Sequence, residues 1–240
     1  MATVPTGLMK LLTRPTYVEF YLNRTPAQTT SMSGHYKTKD NTGTPYYTFN
    51  FATHNGFKYS TETGLRPFIE DLYARTGTEN EELIALFDDD TSTYDLTTYN
   101  GTLTETQQNG LKVVSAVTGG SNIVVNTATV TGTVIPGLLF KKGDFIQPRG
   151  PAEGYRYPYQ VTADVTYAAS SNLTVQVNRP IIAQTGITFG AGSGPYYSGG
   201  LNAGKNVRFN TKVTKLPTYS IVPHDRVQFN GNFEMVEVIL

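Results

Sequence analysis

The segment TGLRPFIEDLYARTG, from Thr63 to Gly77, is the one stretch of the chain with the periodicity of an amphipathic helix. Its apolar residues recur three and four positions apart, so they share one face of a 3.6-residue repeat. These residues are Leu65, Phe68, Ile69, Leu72 and Tyr73. Thr63 is suited to cap the amino end, and Gly77 is suited to follow the carboxyl end. The pattern predicts a helix over residues 64–76 with one apolar stripe.

Strand patterns surround this helix. An isolated helix of this length is marginal, so its stripe must pack on a sheet. Tyr17–Leu22 predicts a first strand, and Pro45–Phe51 alternates aromatic and polar residues as a half-buried strand does. We interpret Leu83–Phe87 as a strand and not a second helix, because Asp88–Asp90 ends it abruptly. Phe233–Leu240 alternates imperfectly, which predicts a last strand that is buried on both faces and joins the first sheet.

Short strands with turn residues between them fill the middle of the chain. The main runs and turns are Leu111–Val117, Gly119–Gly120, Ile123–Ile135, Lys142–Asp144, Tyr157–Val165 and Leu173–Val177. Regular spacing of this kind predicts a small β-barrel over residues 111–182. Polar and glycine-rich segments flank it as linkers, at 98–110 and 183–204. The predicted fold is therefore mainly β, with residues 1–97 and 205–240 forming one domain that carries the barrel as an insertion.

The composition limits the classes of function. Nineteen basic residues balance nineteen acidic ones, and only 16% of residues are charged, against about 25% in an average soluble protein. Bulk charge therefore does not favour nucleic-acid binding, and a sparsely charged surface suits a subunit that partners cover. Cysteine is absent, which excludes disulfides, thiolate nucleophiles and cysteine metal sites. No apolar run approaches the roughly 18 residues of a membrane span, so we expect no membrane partner and synthesis in a cytoplasm.

One segment has the spacing of a phosphate-binding loop. Gly199–Lys205, GGLNAGK, fits G-x-x-x-x-G-K, but Asn206 stands where a serine or threonine belongs. A working loop also follows a strand and opens a helix. Here a glycine-rich stretch precedes the motif and a strand-like stretch follows it, so we favour a flexible loop and expect no nucleotide cofactor.

The titratable residues form no recognisable catalytic or metal constellation. His35, His54 and His224 are far apart in the sequence, Asp88–Asp90 lacks the ligand alternation of an EF-hand, and Glu79, Glu81 and Glu82 resemble a polar loop face. We therefore expect no catalytic residue, no metal site and no enzyme activity.

Tyrosines are the strongest candidates for binding. Tyr155, Tyr157 and Tyr159, together with Tyr196 and Tyr197, suit either a carbohydrate-stacking platform or a protein interface. We favour core or interface burial for Tyr157 and Tyr159, which share one face of a predicted strand. The predicted interface residues are Arg14 in the amino-terminal arm, Tyr17, Tyr36 in a long polar hairpin, Tyr196 and Tyr197.

Two segments resemble a known family. KKGDFIQPRGPAEGYRYPYQVTAD (Lys141–Asp164), followed by LTVQVNRPI (Leu173–Ile181), resembles the small β-barrel insert of tail-tip and baseplate-hub proteins of tailed bacteriophages. The last stretch, KLPTYSIVPHDRVQFNGNFEMVEVIL (Lys215–Leu240), is similar to the closing strand of the same proteins. The order of a strand, a long hairpin and a helix before the insert also fits their layout.

The resemblance implies a fold and a function. The outer domain is expected to be the tail-tube-like β-sandwich or barrel with one flanking helix found in distal tail proteins. Such proteins form homo-oligomeric rings, usually hexamers, that join the tail tube protein to the baseplate hub, spike or fibre proteins, and DNA only passes through the lumen. The resemblance implies a structural protein of the virion tail, assembled in the host cytoplasm, with no catalysis and no cofactor.

Two other functions remain open at this stage. The first is a tail-tube or tube-initiator subunit, which stacks identical rings. The second belongs to another class, a receptor- or carbohydrate-binding β module.

Overall fold

The structure of the protein is a computed structural model, and it describes part of the chain. The described residues are 15–24, 27–30, 36–39, 43–53, 57–59, 66, 69–70, 73, 82–84, 110–131, 138–148, 157–182, 201–203, 207 and 209–239. They are mainly β and form several antiparallel sheets, which confirms the predicted class at that level.

The strands divide into those before residue 85, those of the middle of the chain and those of its last thirty residues. The first group is β1 (Pro15–Asn23), β2 (Ala27–Thr30), β3 (Tyr36–Lys39), β4 (Tyr46–Thr53), β5 (Phe57–Lys58) and β6 (Glu82–Ile84). The second is β7 (Lys112–Ala116), β8 (Asn122–Asn126), β9 (Leu138–Phe140), β10 (Phe145–Pro148), β11 (Tyr159–Gln160), β12 (Val165–Thr166), β13 (Asn172–Gln176) and β14 (Leu201–Ala203). The third is β15 (Phe209–Lys215), β16 (Thr218–Val222), β17 (Arg226–Asn230) and β18 (Phe233–Glu237).

Backbone contacts divide the chain into two compact units. One runs from Leu83 to Asn210, and the other combines Thr3–Glu82 with Thr211–Leu240. Of the predicted linkers at 98–110 and 183–204, the structure describes only Gly110 and Leu201–Ala203, and Leu201–Ala203 form the strand β14 instead of a linker. The predicted domain bounds therefore stay a prediction.

The largest sheet contains five strands in the order β1-β4-β18-β15-β6. Its core face is clearest in β4, where Tyr47, Phe49, Phe51 and Thr53 are buried and the residues between them are half-buried. This period of two is the one predicted for Pro45–Phe51. The strand predicted at Tyr17–Leu22 is β1, and β6 confirms a strand, not a helix, for the described part of Leu83–Phe87.

The prediction that the last strand is buried on both faces is wrong. In β18 the residues Phe233, Met235 and Glu237 are buried, while Glu234 and Val236 are half-buried. The alternation is regular, but the sequence hides it because a glutamate occupies an inward position. Glu237 remains inside because its Oε2 accepts a hydrogen bond from the Tyr47 backbone N–H at 3.0 Å, which offsets the cost of burying a polar group. As predicted, β18 joins the first sheet, where it lies between β4 and β15.

A second sheet of the same unit has the order β16-β17-β5. A turn at Pro223–Asp225 joins β16 and β17, and both His224 and Asp225 have positive φ, at 69° and 59°. Between β17 and β18, Gly231 has φ 106°, a conformation that glycine adopts without strain. In β17 the side chains of Val227 and Phe229 are buried, and the alternate ones are exposed.

The predicted helix is described at four positions. Arg66, Ile69, Glu70 and Tyr73 are helical, with Ile69 fully buried and Glu70 exposed, as the stripe predicts. The other residues of 64–76 lie outside the described residues, so the helix as a whole stays a prediction.

The middle unit contains three small sheets, with the orders β13-β8-β7, β11-β10-β14 and β12-β9. The hairpin predicted at Gly119–Gly120 joins β7 to β8, and the turn predicted at Lys142–Asp144 lies between β9 and β10. In that turn Gly143 has φ 103°, and the Asp144 Oδ2 accepts the Lys141 N–H at 2.8 Å. The buried residues are mostly β-branched and aromatic, among them Ile123, Val125, Phe140, Phe145, Ile146, Val175, Val177 and Phe209.

Two predicted strands of this unit are too long. The run Ile123–Ile135 ends as a strand at Asn126, because buried Thr127 caps a turn: its Oγ1 donates to the Ala168 carbonyl at 2.6 Å and accepts the Ser171 N–H at 3.1 Å. The run Tyr157–Val165 is divided into β11 and β12, which pair with different strands, β10 and β9. A run of strand-forming residues does not show where the chain changes from one partner strand to another.

The stacked pair of Phe51 and Phe233 provides a test of this core. Phe233→Ala removes a fully buried ring, so we expect a loss of about 3–5 kcal/mol in the free energy of unfolding. Tyr21→Ala is the control, because Tyr21 is 57% exposed in β1 and its loss should cost about 1 kcal/mol or less. Urea denaturation measures both; equal losses would show that the interface between β4 and β18 is not the core of this unit.

Candidate functional site

The predicted interface residues are described only at two positions, and there by backbone alone. Tyr17 lies in β1 opposite Ala52, and Tyr36 lies in β3 opposite Thr30, in the antiparallel β2–β3 hairpin. Arg14, Tyr196 and Tyr197 lie outside the described residues. The role of these five residues at an interface therefore stays a prediction.

Two tyrosines of the possible carbohydrate platform are in the core. Tyr157 and Tyr159 are only 8% and 2% exposed, which confirms burial and removes both rings from any sugar-stacking surface. Tyr155, the third tyrosine of that group, lies outside the described residues.

Tyr159 belongs to a buried polar cluster that the sequence did not reveal. Its hydroxyl oxygen accepts the Ile182 backbone N–H at 3.0 Å. Arg179, which is 1% exposed, donates from Nη2 to the Pro158 carbonyl at 2.6 Å, and its guanidinium carbon lies 5.3 Å from the Tyr159 ring centroid. A buried cation is tolerated where hydrogen bonds and an aromatic face replace water. These contacts hold the segment after β13 against β11, so the cluster is structural.

The phosphate-loop motif does not have the required conformation. Within Gly199–Lys205, the residues Leu201–Ala203 form β14, which pairs antiparallel with β10. A phosphate loop needs helix amides after the glycines, and the described residues of this motif supply a strand instead.

The remaining candidates bring no site together. His224 is exposed in the β16–β17 turn, and Glu82 begins β6. His35, His54, Glu79, Glu81 and Asp88–Asp90 lie outside the described residues. Over the described ranges, no group of three or more histidine or acidic side chains has the geometry to hold a metal ion. No helical segment among those ranges has the length and hydropathy to cross a bilayer.

Among the described residues, several interacting polar side chains are centred on Glu70. Its Oε1 accepts the Tyr59 hydroxyl at 2.8 Å and the Arg66 Nε at 3.1 Å, and the Arg66 guanidinium lies 5.6 Å from the Tyr59 ring centroid. The hydrogen bond to Glu70, followed by burial, raises the pKa of Tyr59 to about 12. The hydrogen bonds from Tyr59 and Arg66 lower the pKa of the Glu70 carboxyl. Glu70 is thus a charged acceptor with its Oε1 engaged twice.

Aromatic contacts extend this group into the β16–β17–β5 sheet. The Tyr73 hydroxyl donates to the Pro217 carbonyl, and its ring meets Tyr219 edge-on with centroids 4.9 Å apart. Tyr59 also contacts Tyr219, at 6.4 Å. Burial is the main cause that raises the pKa of Tyr73 to about 12. Because Glu70, Arg66 and Tyr73 are helical, the cluster fastens helical residues to the sheet.

The outer face of the five-stranded sheet is polar. Asn50 Nδ2 donates to Glu19 at 3.4 Å, Asn23 Nδ2 donates to Thr48 at 3.2 Å, and Lys215 Nζ pairs with Glu234 at 2.7 Å. Beside these pairs stands the exposed ring of Tyr21. Paired polar groups around an exposed tyrosine are typical of polar protein interfaces. Tyr21 was not among the predicted interface residues, although the alternation of residues in β1 is enough to predict that its side chain is exposed.

Comparison with known proteins identifies no relative. No protein-family model matches the chain, and no curated protein matches it. The function proposed below therefore rests on the arrangement of the strands and on the resemblance carried by Lys141–Asp164, Leu173–Ile181 and Lys215–Leu240.

The buried tyrosine cluster can be tested by removing one oxygen. Tyr159→Phe leaves the Ile182 N–H buried without its acceptor, so we expect a loss of about 1–3 kcal/mol in the free energy of unfolding. Tyr167→Phe, at a half-buried position, removes the same atom outside the cluster and should change stability by about 0.5 kcal/mol or less. Chemical denaturation compares them, and a neutral Tyr159→Phe result would contradict the structural role.

The Tyr59–Glu70 contact predicts a pH dependence at both extremes. Tyr59 has a folded pKa above its ordinary value, so its contribution to stability is complete below about pH 10 and is lost as the pH rises to about 12. Glu70 has a lowered pKa, so its contribution is present above its ordinary pKa of 4.5 and is lost as the pH falls through the lower folded value.

A spectrophotometric titration of tyrosinate tests whether the pKa of Tyr59 is raised. Up to about pH 11, Tyr59→Phe should form as much tyrosinate as the wild type, because Tyr59 is still protonated there. Tyr21→Phe leaves the cluster intact and is the matched control. If Tyr59→Phe lowers the tyrosinate signal below pH 11, Tyr59 is not held by Glu70.

Proposed function

We propose that the protein is a structural subunit of the distal end of a bacteriophage tail, in a tail tip or baseplate hub. Copies of the chain form a homo-oligomeric ring that joins the tail tube protein to the hub, spike or fibre proteins. DNA passes through the lumen of the ring, and the subunit has no catalytic activity.

The order of the strands along the chain is the observation that carries this proposal. The carboxyl-terminal β18 pairs with β4 from the amino-terminal part. In the sequence between these two strands, Leu83–Asn210 forms a separate compact unit. A sheet that is begun before an inserted β unit and joined after it is the layout that the resemblance implies.

The resembling segments occupy informative positions in the fold. The KKGD turn at Lys141–Asp144 leads into β10, which pairs with strands on both sides. The FEMVEV segment contains β18, an interior strand of the five-stranded sheet. Both segments therefore contain an interior strand of a sheet, so the resemblance falls on residues that build the fold of their units.

The surface also supports a subunit covered by partners. Charged residues are few, and the exposed face of the largest sheet carries amide, hydroxyl and paired charged groups around Tyr21. Interfaces of this polar kind retain water and use hydrogen bonds as much as apolar area.

Native mass and shape test the proposal. We expect mass photometry of the purified protein to give one multiple of 26.3 kDa, and negative-stain images to show closed rings with a central hole. Open-ended tubes would favour a tail-tube or tube-initiator subunit instead.

A third result would overturn the ring. If the protein stays monomeric at every concentration and binds a glycan array in a manner abolished by Tyr196→Ala, it is a carbohydrate-binding module. Tyr21→Ala serves as the control for the loss of a tyrosine elsewhere.

A further inference from the structure

Two cations lie side by side on the exposed side of the β16–β17–β5 sheet. The register places Arg226 of β17 directly opposite Lys58 of β5, and both side chains are exposed. Within the part of the chain that the structure describes, neither side chain forms an ion pair. Like charges directly opposite each other in an antiparallel pair destabilise the sheet.

The described neighbours of these cations on the sheet do not neutralise them. The same side of the sheet continues with Gln228 opposite Ser220, both uncharged and exposed. The one acidic residue between Thr218 and Asn230 is Asp225, which is half-buried in the turn. We call Lys58, Arg226, Gln228 and Ser220 the basic face.

The backbone beneath the basic face is fixed. β17 is paired with β16 on one side and with β5 on the other. The Tyr59 N–H donates to the Asp225 carbonyl at 2.8 Å, which ties the end of β5 to the turn. The two cations are therefore held on sheet positions, and a ligand does not have to order the backbone that presents them.

We propose that the basic face binds the acidic segment Asp88–Asp90 of a second copy of the chain; this rests on the proposed ring. Asp88–Asp90 is the longest run of acidic residues in the sequence. A guanidinium offers two parallel donors that fit a carboxylate, and a lysine adds a point charge beside it.

Ring symmetry favours a second copy of the chain as the partner. A closed ring of more than two subunits requires each copy to contact the next through two different surfaces. A basic face that binds the acidic segment of the next copy is a contact of this kind. Because the net charge of the chain is zero, two copies do not repel each other in bulk, and a local charge pair can set their register.

A nucleic acid is a weaker partner for this face. Affinity for DNA grows with the number of phosphates neutralised, and the face offers two permanent cations. A short run of carboxylates can contact both cations at once, so it is a better match to the charge of the basic face.

A pair of charge-reversed variants tests the contact. Variant A carries Lys58→Glu and Arg226→Glu, and variant B carries Asp88→Lys, Asp89→Lys and Asp90→Lys. In either variant alone, the basic face and the segment at 88–90 carry charges of the same sign. We therefore expect the protein concentration at which half of the copies are assembled to rise about tenfold or more. Mixed in equal amounts, A and B offer opposite charges to each other, and assembly should return. Mass photometry measures all three samples.

The control variant changes charge equally elsewhere. Lys141→Glu with Lys142→Glu reverses two exposed lysines of the β9–β10 turn, and it should assemble as the wild type does. A neutral variant, Lys58→Gln with Arg226→Gln, separates folding from assembly. Removing the like-charge pair should keep or raise its thermal midpoint while assembly weakens, a combination that misfolding does not produce.

Four results would overturn the proposal. The first is that variant A assembles like the wild type, which leaves the ring itself intact. The second is that assembly returns when A and B are combined in one chain but not when they are mixed, which makes the contact internal. The third is that variant A loses binding to a duplex DNA probe while its rings persist, which identifies phosphate as the ligand. If the wild type forms no oligomer, the proposed function fails first.

Discussion

The pairing of β18 with β4 is the constraint on which the carboxyl- and amino-terminal unit depends. Phe233 lies opposite Phe51 in the register, and their rings stack with centroids 4.9 Å apart and planes 6° from parallel. Phe229 meets Phe233 edge-on at 5.4 Å, and Tyr219 continues the series at 6.4 Å from Phe229. The two partner strands are far apart in sequence, so their contact closes a very long loop. The cost of that closure grows only slowly with length, which allows the sequence of a whole second unit to lie between the two strands along the chain.

Local patterns predicted the elements better than their surroundings. The period of two in β4 and the glycine turns at Gly119 and Gly143 are set by neighbouring residues, and they were predictable. The burial of Glu237 and of Arg179 was not predictable, because each depends on partners that only the fold provides. Glu237 accepts the Tyr47 N–H. Arg179 donates to the Pro158 carbonyl and lies against the Tyr159 ring. The surface clusters follow the same rule. Tyr59 and Glu70 carry no motif, and only the fold brings the Tyr59 hydroxyl to the carboxylate.

Buried polar groups in both units serve the backbone. Glu237 accepts a backbone N–H, Asp144 closes its own turn through the Lys141 N–H, and Thr127 bonds to the backbone of the segment before β13. Each replaces a hydrogen bond that the chain would otherwise make with water, and a carbonyl or amide that is left unpaired inside a protein costs more than the bond itself gains. These groups give the short strands of the middle unit defined ends, since strands of two to five residues supply few ladder bonds of their own.

Two arrangements of exposed charges in the described part of the chain differ, and the difference bears on function. Lys215 with Glu234 and Arg66 with Glu70 are satisfied pairs, worth little at an exposed site but free of conflict. Lys58 with Arg226 is the opposite: two like charges share one register position, and a single acidic substitution at either site would turn repulsion into attraction. Sequences whose local choices agree with the fold are the rule, and a local conflict marks a place where another requirement has prevailed. Among the described residues of a chain with so few charges, this unpaired set of two cations is where the proposed contact would supply carboxylates, and the repulsion within one copy would then become attraction between copies.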